Sequence, residues 1–165
     1  MKVVINACHG GFSLSPEAVK FIAEKKGLPC YFYAEVTEDE NGNRIDMDNR
    51  IYKKIPMKEA NDAFMWSAST VEDVEEYNKF HEFDWHNSSM EERRAHNQKH
   101  EQIHHTSRPD NRHDEFLVEA VETLGAEKAS GSCAHLKVIE IPIKIYNIDE
   151  YDGFESISEP HQTWS

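Results

Sequence analysis

The chain has 165 residues, a formal net charge of −13, 38% hydrophobic and 30% charged residues, and three cysteines. That length suits one domain and buries a core without disulfide staples, while no apolar run approaches the roughly 20 residues of a bilayer-spanning helix. The charge disfavours nonspecific contact with nucleic acid or an anionic membrane and favours a basic protein partner.

The apolar stretch of "MKVVINACHGG" is too short for a secretory leader. Cys8, Cys30 and Cys133 are odd in number and lack paired spacing. The expected setting is therefore the cytoplasm, with reduced thiols.

In chain order, "KVVINA" (2–7) is β-branched and reads as a buried strand. "CHGGF" follows, and then a helix start: Ser15 as N-cap, Pro16 at the first helical position, Glu17 in the first turn. Gly27 ends that helix. "CYFYAEV" (30–36) and "NRIYKKIP" (49–56) read as strands joined across Asn41-Gly42, a strong hairpin signal.

From 57 to 107 aliphatic residues thin out. Ser69 with Glu72, Thr70 with Asp73, and Ser89 with Glu92 have capping-box spacing. The helix expected in "EERRAHNQKHEQIHH" has almost no apolar face, as in a helix that meets solvent or a partner. This segment reads as a helical, His-rich insertion in a single domain. Leu117, Ala120, Val121 and Leu124 then form a helical stripe stopped by Gly125, "HLKVIEIPI" reads as a buried strand, and Asp152-Gly153 marks a last hairpin. The fold class that follows is α+β: a small mixed or antiparallel sheet, helices on one face, and the helical insertion.

Both ends of the chain resemble small, mostly uncharacterised proteins of tailed bacteriophages and prophages. The likeness rests on "VVINACHGGFSLSPEAV", on "DEFLVEAVETLGAEKASGSCAHLKVIEIP", and on "IDEYDGFESISEPHQTWS" with its Glu-Tyr-Asp-Gly hairpin, His and final Trp. It implies an accessory role in an infected host and supplies no catalytic residues.

Four constellations could carry chemistry. Gly10, Gly11, Phe12, Ser13 and Ser15 lie where a helix N-terminus favours an anion, so a nucleotide or similar small anionic ligand could bind there; the other reading is a strand-to-helix turn with a positive-φ glycine. Cys8 and His9, adjacent on a strand end, point to opposite faces and make no catalytic pair. His96, His100 and His104 recur at four-residue spacing on one helix face, enough for a partial, weak zinc or nickel shell, but no HExxH order supplies a base.

The segment from Arg93 to His113 is basic, with Arg93, Arg94, Lys99, Arg108 and Arg112 against Glu101 and Asp110. The acidic loop of Glu38, Asp39, Glu40, Asp46 and Asp48 departs from a calcium loop at its last position and reads as a solvated hairpin tip. The acidic end, with Glu150, Asp152, Glu155, Glu159, His161 and Trp164, reads as a polar hairpin with its carboxylates spread over two faces.

The function expected first is a non-enzymatic, phage-encoded accessory protein binding a host macromolecule, a host protein, through an acidic surface. The alternative is an anion or nucleotide binder at the Gly10-Gly11 loop; a metal-dependent enzyme using the His helix ranks last. No motif calls for a cofactor.

Overall fold

The computed structural model describes residues 1–39, 41–45, 50–63, 65–142 and 144–160. Along the chain come β1 (Lys2–Asn6), α1 (Pro16–Lys25), β2 (Tyr31–Val36), β3 (Ile51–Ile55), α2 (Met57–Asp62), β4 (Ser67–Ser69) and α3 (Val74–His81). Then follow α4 (Met90–Ile103), β5 (His104–His105), α5 (Glu115–Ala129), β6 (Leu136–Glu140), β7 (Asn147–Tyr151) and β8 (Phe154–Ser158). The fold is α+β, and its sheets are antiparallel. The chain divides into two units: Met1–Lys26 with Ser107–Ser165, and Gly27–Thr106 between them in sequence.

In the first unit β1 pairs with β6, Val4 opposite Val138. α5 packs on both strands and on α1, and the β7–β8 hairpin packs on β1. Val3, Val4, Leu117 and Leu136 are fully or almost fully buried, and each such side chain contributes about 1.5–3 kcal/mol of transfer free energy.

α1 begins as its sequence dictates. Ser15 accepts from Ala18 N, Pro16 opens the helix, and Gly27 at φ +70 follows its end. Asp114 caps α5 through Phe116 N and Leu117 N. Gly125, at φ +77, breaks α5 where the sequence stops it, yet one further turn runs on to Ala129. The last hairpin turns at Asp152 and Gly153, both at positive φ.

In the second unit the strand order is β3-β2-β4-β5. β4 and β5 fall within 57–107, and β4 pairs directly with β2. The inserted unit therefore begins at Gly27, not near Met57, and carries a sheet as well as helices. The three-residue β4 is too short to register as a periodic pattern in sequence.

Two helix starts also differ in kind. Ser89 and Glu92 form the expected reciprocal capping box on α4. α3, however, is capped by Asp73 accepting from Glu76 N. Ser69 lies in β4 instead, its hydroxyl donating to Ile103 O and accepting from Val71 N. Glu40, Asp46, Asp48, His161 and Trp164 lie outside the described residues.

Candidate functional site

The opening junction is built by β1 running into a turn that its own chain fills. Beyond the β1–β6 ladder, Ala7 N still donates to His135 O at 2.8 Å. A Cβ at Gly10 would stand 1.5 Å from Cys133 O, so only glycine permits this approach. Gly11 has φ +82, the left-handed backbone expected of one of the pair. The ring of Phe12 is buried beneath the Arg112 guanidinium, whose carbon is 3.3 Å from the ring centroid.

Ser13 O accepts from Gly131 N at 2.9 Å. Ser15 is buried; its hydroxyl accepts from Ala18 N and donates to Lys128 O, and its amide donates to Ala129 O. All five residues of the expected anion loop are thus brought together, and these groups bond within the chain. The Ser15 hydroxyl, with a donor and an acceptor partner already in place, has no proton left for an anion.

Three polar residues that the sequence does not assign to this junction organise it. Asn6 is wholly buried. Its Nδ2 donates to Cys8 O and Gly153 O, each at 2.7 Å, and its Oδ1 accepts from His135 N and from Cys8 Sγ. Glu155, 5% exposed, accepts from Asn6 N at 2.8 Å and from Arg112 Nη2 at 3.1 Å. Arg112 Nη1 is buried with no hydrogen-bond partner among the described residues; the Phe12 face beneath the guanidinium supplies a cation–π contact in place of one. The signal for Asn6 was an amide inside an apolar run; for Glu155, a shared strand face with Ile157. Cys8 points into this network while His9 lies against Phe154, so the two make no pair.

In the second unit the histidines enter an aromatic cluster. His96 stacks on Phe80 and on Phe83, with centroids 4.3 and 4.2 Å apart, and meets Trp85 edge-on. His104 leaves the helix: it is the C-cap of α4, in extended conformation, and the first residue of β5. Its ring still stacks on His100 at 4.0 Å. His104 Nε2 is 3.3 Å from the Tyr77 hydroxyl and Nδ1 is 3.2 Å from His100 O. His81 joins from α3, against Tyr77, Phe80 and His104.

Burial pushes the His104 pKa down to about 4, helped by His100 and His81, and burial likewise lowers those of His81 and His96. The rings of the three histidines of the expected metal set stack on neighbouring rings, and among the described residues no group of three or more His, Cys, Asp or Glu is placed to hold a metal ion.

Beside this cluster, α3 and α4 enclose an open groove of about 780 Å³. Phe80, Phe83, Ala95 and His96 line it, with Glu76, Glu82, Glu92, Lys79 and Lys99 among the polar lining. The Lys99 ammonium lies 5.6 Å over the Phe80 ring. α4 buries none of its residues; Trp85 ahead of it and Met90 at its first position are 44% and 63% exposed. No helix among the described residues is long and apolar enough to cross a membrane.

Compared with protein-family models, curated proteins and solved structures, the chain matches none.

Proposed function

We propose that the chain is a non-enzymatic binding protein that engages a basic partner protein through the α3–α4 groove of its second unit. The observation that carries this reading is the groove itself: an aromatic floor beside a helix with no buried residue, held by its own capping box. A helix that polar, yet that well capped, is suited to contact outside its own chain.

Glu76 and Glu82 offer carboxylates to a basic occupant of the groove, beside Lys79 and Lys99, while Glu92 is held in the capping box. The seat that Lys99 takes on Phe80 is one a partner's lysine or arginine could take. A net charge of −13 steers such a partner inward. The likeness of both chain ends to tailed-phage proteins supports an accessory role in the host cytoplasm, with a host protein as target.

The test is affinity capture from bacterial lysate with the wild-type chain and with a Glu76→Lys/Glu82→Lys variant. A basic protein held by the first and released by the second is expected. A partner held equally by both, or nucleic acid as the sole captured species, would overturn the proposal.

A further inference from the structure

We propose that Cys8 and Cys133 form a reversible redox pair, in which oxidation joins the start of the Gly-Gly turn to the loop ahead of β6. Neither residue signals this in sequence, since 125 positions separate them. The antiparallel pairing of β1 with β6 brings them together, and the Ala7–His135 hydrogen bond extends that pairing toward both cysteines.

The thiol of Cys8, whose one proton faces both Asn6 Oδ1 and Cys133 O, lies 3.2 Å from Cys133 O. The Cβ of Cys133 lies 2.8 Å from where a Cβ at Gly10 would stand. Cys133 therefore lies against both the Cys8 sulfur and the bare backbone of Gly10. A disulfide needs its two Cβ atoms about 3.5–4.5 Å apart. The Cys8 sulfur is in contact with the Cys133 carbonyl, and Cys133 is exposed. Cys30 belongs to the second unit and takes no part.

The oxidant is a peroxide. The exposed Cys133 thiolate attacks one oxygen of hydrogen peroxide, the O–O bond breaks, and sulfenic acid and hydroxide form. The Cys8 thiolate then attacks the sulfenic sulfur, the S–S bond forms, and a second hydroxide leaves. With the two thiol protons the products are the disulfide and two waters, and two electrons have passed from sulfur to peroxide. A reduced dithiol reverses the change by exchange. Such a bond is transient in a reducing cytoplasm, which suits a sensor better than a staple.

The test uses the full chain treated with hydrogen peroxide and digested with trypsin without reduction. The expected product joins the peptide 3–20 to the peptide 129–137 with the loss of two hydrogens. The melting temperature should rise by roughly 5–15 °C, because the bond closes a long loop, and dithiothreitol should reverse both changes. Cys8→Ser and Cys133→Ser should each abolish the product, while Cys30→Ser retains it. Oxidation that halts at a Cys133 sulfinic acid with the Cys8 thiol still titratable, or that links Cys133 between two chains, would overturn the proposal.

Discussion

The phenol rings of Tyr33 in β2 and Tyr77 in α3 lie parallel, with centroids 3.7 Å apart and both side chains fully buried. The Tyr77 hydroxyl meets Ser67 Oγ at 2.8 Å, and Tyr33 donates to Val71 O. Burial pushes both hydroxyls up to about 12. This stack fixes α3 on the sheet. Tyr77→Ala should cost about 3–5 kcal/mol, the range for a large aromatic lost from a core. Tyr77→Phe keeps the stack and should cost only about 0.5–1.5 kcal/mol. Denaturant unfolding separates the two, and equal losses would place the energy in the hydroxyl.

The second unit should weaken in acid. The His104 pKa, held at about 4 by burial and by His100 and His81, lies below the ordinary value near 6.5. The unfolded chain therefore takes the proton first on the way down. The stability from the neutral ring is complete above about pH 6.5 and is lost as pH falls toward 4. Titration of the His104 ring by NMR checks the midpoint, and hydrogen exchange in α4 and β5 checks the consequence. A midpoint at or above 6.5 would contradict the burial argument.

The glycines of the opening turn should differ in cost and in cause. Gly10→Ala places a methyl group against Cys133 backbone and should destabilise by about 1–3 kcal/mol or more, as overpacking does. Gly11→Ala meets open space and bears only its left-handed backbone, about 1–2 kcal/mol. Thermal unfolding ranks the pair; the reverse order would mean that the Cys133 loop gives way.

The Arg112–Glu155 pair should be costly to halve and cheap to remove. Glu155→Gln retains an acceptor for Asn6 N but leaves the guanidinium without its charge partner, at about 3–5 kcal/mol. Arg112→Met with Glu155→Gln should recover most of that loss, because the unpaired charge is gone. A double variant as unstable as the single would shift the cost to Arg112 packing on Phe12.

Local chemistry made some of this structure readable in advance and long-range pairing hid the rest. Ser15-Pro16, Ser89 with Glu92, and Asp152-Gly153 act over three or four residues, and each appears where its spacing put it. β4 escaped because Ser67, Ala68 and Ser69 become a strand only against Tyr31, Phe32 and Tyr33. Periodicity places His104 on the helix, but its pairing with Ser69 draws it into β5. Glu155 reads only as one carboxylate of a polar hairpin, because nothing near it in sequence discloses Arg112 or the Asn6 amide.

The pairing that closes β1 also sets a timetable for synthesis. The amide of Ile141 donates to Met1 O, and the Met1 amino group to Ile141 O, across 140 residues. At the usual pace of about 5–20 residues per second, a nascent β1 waits roughly 7–30 s for its partner to leave the ribosome. Every segment of the second unit, complete at Thr106, emerges in that interval. The middle of the chain can therefore fold before its beginning does, while Val3, Val4 and Ile5 remain open to chaperones until β6 arrives.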